Sequence, residues 1–463
     1  MTVSSRIKRG MGLLTRQNDW VCHLVVVAFA VLIFPASGFA QSQNLTFSKD
    51  IAPILQQKCQ ACHQPNGMAP MPLISYGDVR PWARSIRQKV TTRAMPPWDI
   101  DRTIGIQEFK NDISLSDKQI EMIASWVDAG APQGNPAEMP PPVKWPNANE
   151  WAAEKELGRP PDLVFKSLPF NIKADGLDQW FEPVVKLPID KSRWMMASET
   201  RPTIKSRPVT HHANSFKSNP TSKERATVSR FVVGKPYDVL PAGVGTLFEP
   251  GDEVTFNIHY YPDGEERKDA QVEVGVWFYP EGYTPKLKTN GPEGGTFSSY
   301  RDNTDRPQVM VIPPNGKQML QAMHVLQKPA MIYSVRAHMH LRGVGQSIEA
   351  LYPDGHQEVL SKMGWDHRWQ ITYLYEDHVM PLLPKGTVII VTSWYDNTKN
   401  NKNNPDPDQW VVHGRRTGDD MSHAAVGITY FDKEEDFNAA VNERKELLKR
   451  RATTQQQQQQ QQQ

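Results

Sequence analysis

Cys59, Cys62 and His63 stand in the order C-x-x-C-H, in the stretch CQACH. Two thiols at this spacing can form thioethers to the vinyl groups of a haem, and the histidine beside them can bind its iron axially. A bare C-x-x-C would serve equally as a redox disulfide or as half of a zinc site. The adjacent His63 and the lack of a second C-x-x-C favour covalent haem c. Histidines supply two further constellations. In MIYSVRAHMHLRG, strand alternation puts Tyr333, Val335, Ala337, Met339 and Leu341 on one face and Arg336, His338 and His340 on the other, so both imidazoles can reach one metal ion. On its own H-x-H is a weak signal, since a solvated polar face has the same pattern. The other constellation is His211 and His212 in THHANSF with His259 in TFNIHYY, a strand whose polar face carries Thr255, Asn257 and His259. Adjacent strand residues point to opposite faces, so His211 and His212 can share an ion only at a strand end or a bulge, and Pro208 just upstream suits an irregular end. Imidazoles with an optional thioether fit copper better than zinc, calcium or magnesium.

These residues need elements to hold them and a compartment in which to be loaded. Arg6, Lys8, Arg9 and Arg16 precede the apolar run LVVVAFAVLIF, and small residues lead to Ala40, which predicts a secretory signal over residues 1–40. The run is short for a membrane span, so cleavage and export to the periplasm or medium are expected, with no stable membrane insertion afterwards. Removal takes four basic residues and one acid from 53 Lys+Arg and 51 Asp+Glu, leaving 49 and 50, a net charge of −1. Nothing in that balance points to nucleic acid or an anionic membrane as partner. Ile51, Ile54 and Leu55 at helical spacing before the haem motif predict one helix, and Ser116 as N-cap with the stripe Ile120, Ile123 and Val127 predicts another, stopped by Gly130 and Pro132. Residues 44 to about 135 resemble a small class I cytochrome c. Its distal ligand is expected to be Met95 in the proline-stiffened RAMPPW, with Met68 and Met71 as competitors. A proline-rich spacer covers 136–164. Beyond it, period-two segments such as DEVTFNIHYY, QVEVGVWFYP and GTVIIVTSWYDNT predict short strands of a sandwich or barrel class, in a length comfortable for two units in tandem. The tail, 434–463, reads as a terminal helix and a disordered polyglutamine run.

The order HH, then H-Y, then R-x-H-x-H, then a D-D-M segment resembles the copper type II, ascorbate-dependent monooxygenases, the family of peptidylglycine alpha-hydroxylating and dopamine beta-monooxygenases, over residues 165 to 433. The resemblance implies two jelly-roll-like sandwiches, 165–295 and 296–433, each with one copper. It implies a relay copper on His211, His212 and His259. It implies an oxygen-activating copper on His338, His340 and Met421, the last in GDDMSHAAVGITYF. Arg336 stands where peptide-hydroxylating members grip a substrate carboxylate, with an internal salt bridge as the equal alternative. The tyrosine those members place four residues after the methionine is Ala425 here, which speaks against a glycine-extended peptide, and the family's disulfides are missing. The remaining histidines, among them His324, His356, His367, His378 and His413, match no family ligand and read as surface or packing residues. His423, on the strand face of Met421, is the one to watch near the second copper.

The expected architecture is therefore multidomain: the signal over 1–40, a small all-α cytochrome c domain over 41–135, the 136–164 linker, and two all-β jelly-roll-like sandwiches. The expected function is an exported haem-fused copper monooxygenase. An external donor would reduce the haem, electrons would pass to two copper ions, and O₂ would hydroxylate a C–H bond of a small substrate. A non-catalytic electron-transfer or copper-binding protein is the alternative, and a surface module with decayed sites a third.

Overall fold

A computed structural model describes residues 44–461, apart from 66, 68, 146–149, 177, 233, 234, 236 and 300–309. The expected signal and Met68 lie outside the described residues. From Leu45 on, the chain forms one compact unit. Among the described residues no helix is long and apolar enough to cross a membrane.

The N-terminal third is helical in short pieces, Ala52–Lys58, Tyr76–Val79, Ala83–Thr91 and Asp117–Asp128. The last begins where its sequence says it should. Ser116 Oγ accepts from Gln119 N at 3.2 Å and Gln119 Oε1 accepts from Ser116 N at 2.9 Å, a reciprocal capping box. Ile123 and Trp126 are fully buried in a core shared with Phe47, Leu55, Val79 and Val90, and Gly130 leaves the helix at φ 89°.

The expected fold, a separate all-α cytochrome domain followed by two sandwiches, is not what the structure has. The molecule is mostly β-sheet with small helices, and two connections break the expected divisions. First, the segment after Met95 leaves the helices and packs into the β core: Ile100 bridges Met363, Phe109 bridges Tyr375, and Trp98, Ile106 and Phe109 join the apolar cluster of the C-terminal strands. Second, a single eleven-stranded sheet runs through both regions assigned to separate sandwiches. Its path places the strands Leu163–Lys166, Val272–Phe278, Arg193–Pro202 and Val244–Phe248 on one side of Leu287–Lys288, and His423–Tyr430 and Ala330–His338 on the other. Leu287 and Lys288 pair in parallel with Val244 and Gly245, and Lys288 pairs antiparallel with Tyr430, closing the gap between the halves. Period-two patterning predicts strands such as Val272–Phe278 and Ala330–His338, but it carries no information about which strands pair across a boundary.

Two smaller sheets complete the layers. A five-stranded sheet containing Glu253–Tyr260, Thr210–Ser218 and Arg225–Val232 packs its Ala213, Val228, Phe256 and Ile258 against Met195, Val272, Val274 and Val276 of the long sheet. A four-stranded sheet of Lys317–Val325, Val388–Asp396, Gly343–Leu351 and Gln357–Gly364 covers the other half, with Ile348, Leu360, Ile389 and Val391 against Ile332, Val335, Val426 and Ile428. Burying both faces of so many β-branched residues is the dominant stabilising term. At the C-terminus the helix Glu434–Gln461 continues into the glutamine run, where the low-complexity composition predicts disorder. Glutamine is a good helix former, and the helix simply propagates through it.

Candidate functional site

In the antiparallel pair of Thr210–Ser218 and Glu253–Tyr260, His259 lies opposite His212, but the next residue, Tyr260, lies opposite Thr210. His211 is therefore the extra residue of a bulge. That irregularity turns its side chain to the side of His212 and His259, which regular alternation forbids. The ligand atoms of His211, His212 and His259 all lie within 4.8 Å of one another. His211 Nδ1 and His259 Nδ1 are 3.3 Å apart, the separation of two nitrogens each about 2 Å from a shared ion. His212 Nδ1 is buried and makes no hydrogen bond. Two neighbours orient the His259 ring. Asp178 Oδ2 faces its Nε2 at 2.8 Å, and Trp180, 47% exposed, stacks on it at 4.3 Å and 7°. A carboxylate behind a ligating imidazole is the usual outer partner of a metal site. Burial lowers the pKa of all three histidines, His212 most strongly; His259 lowers His211 further, both lower His212, and Asp178 only partly offsets the shift at His259, so at neutral pH they are neutral and able to ligate.

His338 closes the strand Ala330–His338 and His340 lies just beyond it, their ring centres 5.5 Å apart. Both have Nδ1 occupied: His338 Nδ1 donates to Gln370 Oε1 at 3.1 Å, and His340 Nδ1 donates to the Asp419 carbonyl at 3.2 Å. In each ring Nε2 is then the nitrogen left for a metal. Burial, then His340 and His423, push the His338 pKa well below its ordinary value. The fully buried Asp420 ties this pair to Met421, since its Oδ1 accepts from His340 N and from Met421 N, both at 2.8 Å, while Oδ2 accepts from Arg342 N at 3.0 Å. Met421 is thus held beside the pair through one carboxylate. His423 pairs directly with His338 across the strands, with rings 6.0 Å apart and 17° from parallel.

Arg336 does not face an open site. It is 2% exposed, and its Nε and Nη2 donate to the carboxylate of Glu293 at 3.0–3.2 Å while Nη1 donates to Gln370 Oε1 at 3.1 Å. Of the two roles open to it from sequence, the geometry is that of the internal salt bridge: the carboxylate it grips is the chain's own. Arg230 and Lys235 reach the same Glu293, and these cations hold its pKa down to about 2 against the burial that raises it. A Cβ at Gly291 would stand 1.9 Å from Thr227 O, so only glycine lets this turn approach the strand and deliver Glu293.

At the C-x-x-C-H motif, one turn of backbone links Cys59 O to Cys62 N at 3.2 Å and to His63 N at 3.0 Å. The thiols are not joined to each other. His63 Nδ1 donates to the Met71 carbonyl at 3.0 Å, which leaves Nε2 for iron. Burial pushes the Cys59 thiol up to about 12 and raises Cys62 as well, the reverse of the lowered pKa that a redox cysteine pair needs. Met71 is tied by its carbonyl to His63 and packs on the helical core. Met95 sits half-buried in its proline turn, with its N donating to Lys89 O at 3.2 Å.

Sequence reasoning missed the groups that orient the ligands: Asp178, Trp180, Gln370 and Asp420. It also set aside His367, which lies 6.2 Å from His211 and 6.3 Å from His340 by ring centres. His413 was set aside too, and its ring centre stands 6.4 Å from that of His423. The remaining dismissed histidines have ordinary surroundings. His378 meets Glu108 at 2.9 Å, His324 Nε2 donates to Ser298 O at 3.0 Å, and His356 is exposed.

No family model matches the chain, and no curated protein is similar to it. Among solved structures, a peptide-N(4)-(N-acetyl-beta-D-glucosaminyl)asparagine amidase is 14% identical, with 58% of this chain covering 97% of that one at a TM-score of 0.27. The glycosylasparaginase PNGase F from Flavobacterium meningosepticum is 14% identical, with 59% covering 97% at 0.26. A putative secreted protein from Parabacteroides distasonis is 8% identical, with 58% covering 89% at 0.17. At these TM-scores the likeness says nothing about chemistry.

Proposed function

We propose that the chain is an exported, haem-bearing copper monooxygenase. The observation that carries this reading is the bulge at His211, which gathers three neutral imidazoles on one side of a strand pair, with a second imidazole pair held beside a thioether-bearing residue by Asp420. A regular strand would not bring His211 and His212 together, and a solvated polar face has no use for the outer partners that fix these rings.

His211, His212 and His259 would hold one copper, His338, His340 and Met421 the other, and Cys59, Cys62, His63 and Met95 the haem. When bound, these groups supply one-electron carriage and activation of O₂. The reaction consumes O₂, two electrons and two protons, places one oxygen in a C–H bond of the substrate and releases the other as water, and the electrons come from an external donor. The chain's own part is positioning. Gln370 and the Asp419 carbonyl fix the tautomers of His338 and His340, Asp178 and Trp180 set the His259 ring, and the Met71 carbonyl turns His63 Nε2 outward. Soft thioether sulfur favours Cu(I), whereas an all-imidazole set suits both copper states. With Arg336 engaged by Glu293, that guanidinium is not open to a substrate carboxylate.

The test is protein matured with haem in an export-competent host. The expected result is two coppers per haem, and oxygen consumption that depends on one member of a panel of small molecules. Changing His338 or His340 to alanine should remove about one copper of the two and abolish that consumption. Changing His211, His212 or His259 should remove the other. Unchanged copper in all five variants sinks the metal reading. Two coppers with no substrate-dependent oxygen uptake would instead make the chain an electron-transfer or copper-binding protein.

A further inference from the structure

His367 lies in the turn that follows the strand Gln357–Gly364, and that turn is fastened to the second histidine set at both ends. Trp365 Nε1 donates to the His340 carbonyl at 2.9 Å, and Gln370 Oε1 accepts from His338 Nδ1 at 3.1 Å. Between these two anchors the turn carries His367 across to the first set, so that its ring stands 6.2 Å from His211 and 6.3 Å from His340, one member of each. Its Nδ1 is buried and makes no hydrogen bond. A buried ring nitrogen without a partner is uncommon and calls for an explanation. The neighbouring Asp366 is engaged by Arg368, whose Nε donates to its Oδ1 at 2.9 Å. The chemistry facing His367 is therefore imidazole on both sides.

The distances decide what such a ring can do. Imidazoles bound to one ion by bonds of about 2.0 Å have ring centres about 5 Å apart at a tetrahedral angle and about 6 Å apart when nearly opposite each other. The pairs within each set, at 5.1 to 5.5 Å, belong to the first case. At 6.2 Å from His211 and 6.3 Å from His340, His367 lies within the span that one ion allows to either ring. We propose that His367 is a further metal ligand at the junction of the two sets, within reach of a Cu(I) ion held by His340 or by His211. This inference rests on the reading of both sets as metal sites.

The experiment uses the full mature chain with its haem, stripped of copper, and needs no turnover. Cu(I) is titrated against a competing chelator, and melting temperature is followed with and without the ion. Three variants are compared with the parent: His367→Ala, His367→Asn, and His356→Ala as a control for loss of an exposed histidine. The expected result is that both His367 variants bind one of the two ions tenfold more weakly or worse, on the order of the losses seen when metal-site partners are removed. Their copper-induced rise in melting temperature should shrink while the copper-free melting temperature stays that of the parent, because ligand binding stabilises only by mass action. The control should behave as the parent. If the parent binds two ions and both His367 variants match it in affinity and in copper-induced stabilisation, His367 is not a ligand and the inference fails alone. A drop in the copper-free melting temperature of both variants, with copper affinity intact, would make it a packing residue and likewise overturn the proposal. A parent that binds no copper overturns the reading of the sets themselves.

Discussion

Protonation and metal compete for the same ring nitrogens, so the histidines report on themselves through pH. Burial holds His211, His212, His259 and His338 below the ordinary histidine pKa, and holds His367 down at about 4. In the unfolded chain these rings titrate near 6.5. Below that pH the unfolded state binds more protons than the folded one, so stability of the copper-free protein must fall as pH falls from about 6.5 toward the folded values. Urea unfolding at pH 7 and pH 5 should show the loss, and a His338→Asn variant should lose less by up to about 2 kcal/mol. Equal losses in parent and variant would mean that His338 is charged in the folded state. Arg336 gives a second measurement. Its removal leaves the buried Glu293 with fewer cations, so Arg336→Ala should cost about 3 kcal/mol of stability, read from the urea midpoint. A substrate grip would show itself instead as a raised KM with unaltered stability.

At the scale of elements, the second histidine pair depends on a loop, not on a strand. Ala330–His338 ends at His338, so His340 is positioned by what its backbone and ring meet beyond the strand: Asp420, the Trp365 indole and the Asp419 carbonyl. Changing Asp420 to alanine strands the N–H groups of His340, Arg342 and Met421, and at about 1–3 kcal/mol for a buried unsatisfied group the protein should lose several kcal/mol by urea titration. Asp420→Asn keeps one oxygen acceptor and should lose less. Copper in the second set should weaken in both while the first set, built on a different sheet, keeps its ion. Simultaneous loss of both coppers would contradict that separation. The first set was legible to a point: alternation in TFNIHYY puts His259 on one face with Thr255 and Asn257, and the adjacent His211 and His212 could turn to one side together only at a strand end or a bulge. Which residue becomes the extra one was decided by the partner strand, since Tyr260 takes Thr210 as its neighbour and leaves His211 unpaired.

Across the whole molecule, the continuous sheet and the insertion of Trp98, Ile100 and Phe109 into the β core join regions that composition had divided. Joined cores unfold together. Far-ultraviolet circular dichroism and tryptophan fluorescence should therefore report coincident urea transitions, the usual sign of a single cooperative unit. A fragment lacking residues 44–135 should melt at lower temperature than the full chain, because it leaves Tyr373, Tyr375 and Met363 without the aromatic and backbone contacts of that segment. Two well-separated transitions, or a fragment as stable as the parent, would restore independent domains.

Local geometry was readable from the chain alone. The Ser116 cap and the strand that ends at His338 are set by residue type and by spacings of a few positions, where covalent geometry and short-range hydrogen bonding decide the outcome. Pairings over long sequence separation were not readable. Glu293 meeting Arg336, Asp420 joining His340 to Met421, Leu287–Lys288 knitting two halves into one sheet, and His367 arriving between two histidine sets all depend on which surfaces bury one another. Period-two patterning says that a face is apolar without saying what covers it, and only tertiary packing, driven by the burial of those faces, makes that choice.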